Sequence, residues 1–438
     1  MKVGFSFFLN LILISTICGQ QKIITYYGYP EGAKKEEYFV LGRDSSKVHG
    51  DYKQFAPTGE IIVSGTYENG KRNGWFENYY ADGTLQRKTQ YVNGIRQGET
   101  LVYDRDGSLM QMANFVNDTI VGDLIVLYPS GALKSNSFFK SGKPDGMVYY
   151  YYEDSTLKEE ITYKNGKPNG VSKSYYPDGI LKSEGNYEDG RQEGFFKTYY
   201  PNSQLETEAY KQRGLQNGSY RQYYEDGTVM QSGNYIGGKL NGEVISYYPS
   251  GLKKQEFFYK EGFKSGRNLT YYSTGQTATL IVYGSEEANQ KIQEFSESGK
   301  LMAEKEFKDG MESGNWKFYN NSERLVRTEK YEKGKLNGKR ISYMDDGRLQ
   351  RTEEFENGKL HGETIQFYNK DLIEYQTVYK FDRKEGKHLA NYENGNPKET
   401  GQYRKDRMDG KWNYYDNTGR LTKVITYKLG KIVSEDIK

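Results

Sequence analysis

The chain has 438 residues, with 62 Lys and Arg against 59 Asp and Glu, a net charge of +3, 35% hydrophobic residues and 15% aromatic residues. So low a hydrophobic share excludes one large globular core, and so high an aromatic share excludes a disordered chain. The balanced charge excludes a global field for nucleic acid, and one cysteine with three scattered histidines (His49, His361, His388) leaves no thiol or metal-ligand framework.

Lys2 is followed by an apolar run from Val3 to Ile17, broken only by small or polar residues, and then by Gln20 and Gln21. This pattern predicts a signal peptide over residues 1–20, cleaved near Gly19 or Gln20, and export to the periplasm, the cell surface or the medium. The run is shorter than the ~20 residues of a bilayer span, so no lasting transmembrane anchor is expected. Ile17 stands before Cys18 where lipid attachment wants a small residue, which favours soluble export over a lipoprotein. An N-terminal capping segment is expected over 21–42, a repeat array over 43–432 and a tail over 433–438. The charged stretches Lys34–Glu37 and Glu435–Lys438 suit open sheet edges.

Steps of 24 residues from Gly50 to Gly410 land on glycine at fifteen of sixteen positions, the exception being Gln290. An aromatic stands seven residues before these glycines from Gly74 onward, with Lys211 the one exception, and another commonly stands five residues after, as in Tyr79, Tyr103 and Tyr175. Glycine recurs nine residues after, as in Gly83, Gly107 and Gly179, and an aliphatic follows two positions later, as in Leu85 and Leu181. The unit is therefore two short runs rich in Tyr, Phe, Val, Ile and Thr, separated by Asn-Gly or Asp-Gly dipeptides that supply the positive φ of tight turns. Each unit is predicted to be a β-hairpin. The predicted fold is all-β: an elongated single-layer antiparallel β-meander of about sixteen 24-residue hairpins, stabilised by nearest-neighbour contacts.

Segments such as Tyr67-Glu68-Asn69-Gly70-Lys71-Arg72-Asn73-Gly74-Trp75, Tyr163 to Gly170 and Phe355 to Glu363 resemble MORN repeats of the bacterial variant type, and the resemblance spans about residues 43 to 432. Members of this group often carry the label of YwqK-type antitoxin component, and other MORN proteins serve as scaffolds or lipid-associated modules. The resemblance therefore implies a MORN-like ribbon that binds a partner. The predicted export departs from a cytoplasmic antitoxin.

Side chains alternate across a strand. By parity in the numbering, the tyrosine five residues after the repeat glycine shares a face with the aliphatic of the second strand and the tyrosine before the next glycine. That face is expected to pack. The tyrosine six residues after would then show, forming a ladder of Tyr152, Tyr176, Tyr200, Tyr224, Tyr248 and Tyr272 at roughly 10 Å intervals. This ladder is the candidate binding surface, set against the plainer reading that its rings shield the sheet. Lys or Arg recurs three residues before the glycine (Lys71, Lys143, Lys167, Arg191) and Asp recurs at the other turn (Asp82, Asp106, Asp154, Asp178), which reads as solvated turns before it reads as a basic rim. The repeat at Tyr283–Leu301 has Glu286 and Gln290 in glycine positions, so a bend or soft joint is expected there.

Asp104-Arg105-Asp106-Gly107 opens like a calcium loop, but the distal ligands are missing and it falls on the ordinary repeat turn. No catalytic residue, cofactor site or metal site is predicted, and the chain is expected not to be an enzyme. The expected function is an exported repeat scaffold that binds protein. Cell-wall or surface polysaccharide binding through the tyrosine ladder, and neutralisation of a toxin, are the alternatives. Nucleic acid is not an expected partner, and contact with a membrane surface stands last.

Overall fold

The computed structural model describes residues 16–17, 19–28, 32–42, 47–369 and 371–438, so most of the expected signal segment lies outside the described residues. Every regular element among the described residues is a β-strand. The strands fall into two compact units, Met1–Gln216 and Asn217–Lys438. Each unit is an open antiparallel meander in which a strand pairs with the strands before and after it in sequence, as in Leu157–Lys164 with Lys167–Tyr175 and Lys167–Tyr175 with Leu181–Glu188. The all-β hairpin array is thus present in both units.

The repeat around Gly170 shows how sequence makes the unit. The strand Lys167–Tyr175 enters a turn in which the Tyr176 amide donates to the Ile180 carbonyl at 2.8 Å and the Gly179 amide to the Tyr176 carbonyl at 2.9 Å. Asp178 accepts from the Ile180 amide at 3.1 Å, which is why Asp recurs here. The strand Leu181–Glu188 then leads to a two-residue tip. At an equivalent tip Asn69 and Gly70 both have positive φ, 51° and 81°, the type I′ geometry whose twist matches the flanking strands.

The periodic glycine sits in neither turn. Between Leu157–Lys164 and Lys167–Tyr175 the register slips from Ile161↔Ser172 to Tyr163↔Pro168, and Gly170 occupies this bulge with φ +117°. A left-handed bulge residue is where glycine costs least. The one repeat without it behaves accordingly. Thr277–Tyr283 pairs with Gln290–Phe295 in unbroken register, from Thr279↔Glu294 to Tyr283↔Gln290, across a longer loop in which the Gly284 amide donates to the Asn289 carbonyl at 2.7 Å.

The packed face differs from the expected one. Gly170 pairs with Tyr187 and Ser172 with Gly185, so even-numbered residues of the first strand share a face with odd-numbered residues of the second. Numbering parity is therefore not preserved across the turn. The buried line consists of the residue two after the glycine and its cross-strand partner, as in Phe76↔Thr89, Val148↔Ile161 and Trp412↔Ile425. The tyrosine before the glycine does join it: Tyr67, Phe76 and Tyr91 meet edge to face at 5.2 and 5.5 Å. The tyrosine five residues after lies on the opposite, outer face.

Glycines inside strands have another cause. A Cβ on Gly65 would fall 2.7 Å from the Phe76 ring, and one on Gly185 or Gly401 would fall inside Phe196 or Trp412. Each lies eleven residues before the ring it admits. In Asn217–Lys438 the buried line also holds carboxylates. Glu353, 4% exposed, is gripped by Arg340 at 2.6 Å and Arg351 at 2.9 Å, which supplies the pairing a buried charge needs.

Lys34–Leu41 is an interior strand, paired with Gln20–Tyr26 on one side and Val48–Phe55 on the other, so its charges do not guard an edge as expected. They pair internally, with Glu37 contacting Lys22 and Lys34 at 2.6 Å each. The C-terminal residues extend the strand Lys431–Ile437.

Candidate binding surface

The six candidate tyrosines each open the long turn of a hairpin, Tyr152, Tyr176 and Tyr200 in Met1–Gln216 and Tyr224, Tyr248 and Tyr272 in Asn217–Lys438. All six are half-buried. The hydroxyl of Tyr152 donates to the Tyr175 carbonyl and that of Tyr176 to the Tyr199 carbonyl, both at 2.9 Å. Tyr224, Tyr248 and Tyr272 donate in the same way to Tyr247, Tyr271 and Phe295 at 2.8 Å. Each bond reaches 23 residues forward to the next hairpin. Lysines cover several of the rings: Lys158 lies 5.5 Å from the Tyr152 centroid, Lys182 5.4 Å from Tyr176 and Lys254 5.8 Å from Tyr248. The ladder is a line of braces between hairpins. Tyr80, Tyr128, Tyr368 and Tyr392 extend the same bond beyond the six predicted residues.

The tyrosines on the outer face bond to carboxylates fifteen residues earlier. Tyr175 donates to Glu160 at 2.9 Å, Tyr199 to Glu184 at 2.7 Å and Tyr319 to Glu304 at 2.9 Å. Burial, and then the neighbouring carboxylate, pushes each of these phenols up to about 12.

The hairpin tips are joined too. The Gly94 amide donates to the Arg72 carbonyl at 2.7 Å and the Gly166 amide to Pro144 at 2.8 Å. The other tip amide takes a side-chain acceptor from the preceding repeat: Asn165 donates to Asp145 at 3.2 Å, Arg213 to Glu193 at 2.8 Å and Leu429 to Asp409 at 3.0 Å. The basic residues of this edge lay their stems on the next tip, with Lys143 Cβ 3.4 Å from where a Gly166 side chain would begin. Both turn edges thus carry local structural chemistry. The Asp82 and Asp106 carboxylates are held below their usual range chiefly by the backbone amides of Thr84 and Ser108, which places Asp106 in an ordinary turn.

Sequence reasoning missed the outer face. In Met1–Gln216 it exposes Phe138 (48%), Met147 (36%), Val171 (49%) and Phe195 (49%). Thr162 joins this row, its hydroxyl 3.7 Å from the Met147 sulfur and 3.2 Å from the Val171 carbonyl, and Tyr210 meets Phe195 edge to face at 5.1 Å. For Met147, Val171 and Phe195 the signal was present as an apolar residue one position after the repeat glycine, which becomes readable only once the bulge assigns the faces. In Asn217–Lys438 the outer face carries an open groove of about 620 Å³ lined by Glu363, Val378, Lys387, Leu389, Gln402 and Asn413.

One arrangement has the outline of a catalytic triad. His388 contacts the Thr377 hydroxyl at 2.7 Å and Glu399 at 3.3 Å. Thr377 is 2% exposed and His388 stacks on Trp412 at 5.5 Å, so the hydroxyl is closed to a substrate and the group is part of the packed face.

Eight segments, residues 48–69, 72–93, 96–117, 144–165, 168–189, 216–236, 240–261 and 384–405, match the MORN repeat variant. Those eight segments carry MORN-type repeats, and several of the hairpins outside them keep the same bulge. Gly338 and Gly362, outside the matched segments, occupy their bulges with φ +116° and +118°. No characterised protein matches the chain. Among solved structures it is similar to the TcdB2-TccC3-Cdc42 complex at 10% identity, covering 94% of this chain and 26% of that one with a TM-score of 0.14. It is likewise similar to TcdB2-TccC3 at 12% identity, covering 97% and 24% with a TM-score of 0.15. A Photorhabdus luminescens Tc holotoxin pore gives 11% identity, 94% and 30% coverage and a TM-score of 0.12. The chain spans about a quarter of the length of the first two, and superpositions this loose carry no argument.

Proposed function

We propose that this protein is an exported, non-catalytic repeat scaffold that binds protein through the outer face of its sheet. The observation that carries this reading is the set of exposed apolar residues Phe138, Met147, Val171 and Phe195 on one face of successive hairpins, with Thr162 joining Met147 to Val171. Single exposed apolar residues are ordinary, whereas several aligned on one face of an otherwise polar protein are a feature of interaction surfaces. Such a row on rigid strands costs little ordering entropy on binding. Export rests on the N-terminal sequence pattern.

Polysaccharide binding through Tyr152 to Tyr272 is the second reading. The rings recur at regular spacing, but their hydroxyls and several of their faces are already engaged within the protein. The two readings separate in one experiment. Immobilised protein is exposed to envelope proteins and, separately, to purified cell-wall glycan, using the natural chain, Phe195→Glu, and a combined Tyr176→Ala, Tyr200→Ala and Tyr224→Ala variant. Protein retention lost in Phe195→Glu is the expected result. Glycan retention lost only in the tyrosine variant would transfer the function to the ladder.

A further inference from the structure

A second row runs beside the apolar one on the outer face of Met1–Gln216. Glu160 pairs with Lys173, Lys173 with Glu184, Glu184 with Lys197 and Lys197 with Glu208, so the charge reverses at every strand. The apolar row lies on the same face, with Met147↔Thr162, Val171↔Asn186 and Phe195↔Tyr210 as its register pairs.

A row that alternates strand by strand is its own complement when its strand order is reversed and shifted by one strand. Consider a two-fold axis parallel to the strands, passing between Lys167–Tyr175 and Leu181–Glu188. It sets Lys173 against Glu184 of a second copy, Glu184 against Lys173, Glu160 against Lys197 and Lys197 against Glu160. Because the axis runs along the strands, each residue keeps its height on the sheet. Charged row therefore meets charged row, while in the row beside it Val171 lies over Asn186, Phe195 over Thr162 and Met147 over Tyr210 of the second copy. This is the isologous contact of a two-fold dimer.

A partner carrying charge of one sign would face a like charge at every second strand, which disfavours it across the whole row. The size also fits. The rows extend from Leu133–Lys140 to Leu205–Gln212, roughly 30 Å at about 4.8 Å per strand, and a strip about 20 Å wide would bury roughly 1,200 Å² over both copies, the lower bound for a specific interface. We propose that the outer face of Met1–Gln216 is a self-association surface on which two copies stack sheet on sheet with their strand orders opposed. The proposal rests on reading this face as protein-binding, and it names the partner.

The test is sedimentation equilibrium of the full chain across a micromolar concentration series, with Lys173→Glu, Glu184→Lys and Phe195→Glu. The natural chain is expected to dimerise, and each variant to weaken the dimer at least about tenfold. Mixing Lys173→Glu with Glu184→Lys is decisive. In a dimer of either variant with itself, like charges face each other at both central positions. In the mixed dimer the introduced carboxylate of one variant faces the introduced ammonium of the other, and the unchanged Glu184 of the first faces the unchanged Lys173 of the second. Heterodimers are therefore expected where neither variant pairs with itself. Circular dichroism of each variant controls for folding. A monomeric natural chain, or a dimer indifferent to Phe195→Glu and without rescue on mixing, overturns the proposal. If the chain is monomeric but Phe195→Glu abolishes capture of an envelope protein, the face binds a different protein and only the self-association is lost.

Discussion

Gly401 lies directly beneath the indole of Trp412, so close that a single methyl group on Gly401 would fall inside the ring. Elsewhere in a strand, replacing glycine by alanine stabilises by about 0.5–1 kcal/mol. Here Gly401→Ala is expected to destabilise by about 3 kcal/mol, because Trp412 is fully buried and has no free volume to move into. Urea unfolding followed by tryptophan fluorescence measures it, and the sign alone decides.

Tyr176→Phe removes one hydroxyl from the brace to the Tyr199 carbonyl and keeps the ring. A loss of about 1 kcal/mol is expected, with faster amide exchange in the strands flanking residues 176–199. Exchange unchanged from that of the natural chain would show that the brace contributes nothing.

Stability is expected to fall at alkaline pH in a defined window. Burial, with the Glu160 and Glu184 carboxylates second, raises Tyr175 and Tyr199 from 10 to about 12 in the folded protein. A raised folded-state value gives stability that is complete below pH 10 and lost between 10 and 12, where the unfolded chain releases protons first. Thermal melts across that range measure the slope, and Tyr175→Phe combined with Tyr199→Phe is expected to flatten it.

On the acid side the sign reverses. Glu256 is held below the usual carboxylate range chiefly by Lys253, and Glu399 chiefly by its hydrogen bond with His388. Their contribution is present above the unfolded value of 4.5 and disappears as pH falls through the lower folded values. Glu399→Gln is expected to reduce the acid dependence of the melting temperature.

The loop from Gly284 to Asn289 replaces the two-residue tip found elsewhere. Hydrogen exchange is expected to be faster there than at the tips of neighbouring repeats, while the flanking ladder, which is continuous, stays protected. Exchange no faster than at the Gly262 or Gly310 tips would remove the idea of a soft joint.

The period, the hairpins and the tips were legible from Gly50 to Gly410 because positive φ demands particular residues at fixed places. The faces were not. Tyr175 and Tyr187 are both odd-numbered, and only the pairing of Gly170 with Tyr187 reveals that they stand on opposite sides. A ladder whose paired residue numbers sum to an odd value cannot be inferred by counting along one strand. Tyr176 was correctly singled out as recurrent, but its partner, a carbonyl 23 residues ahead, carries no side-chain signature. Exposure of Phe195 depended on the same face assignment and was missed with it.

Every link between successive repeats spans a constant distance along the chain: 23 residues for the tyrosine brace, 22 for the tip amide bond from Gly94 to Arg72, and 20 for the tip bond from Asn165 to Asp145. Duplicating or deleting a whole 24-residue block therefore preserves the spacing of each link. The number of repeats can thus change in one step without shifting the frame of those that remain.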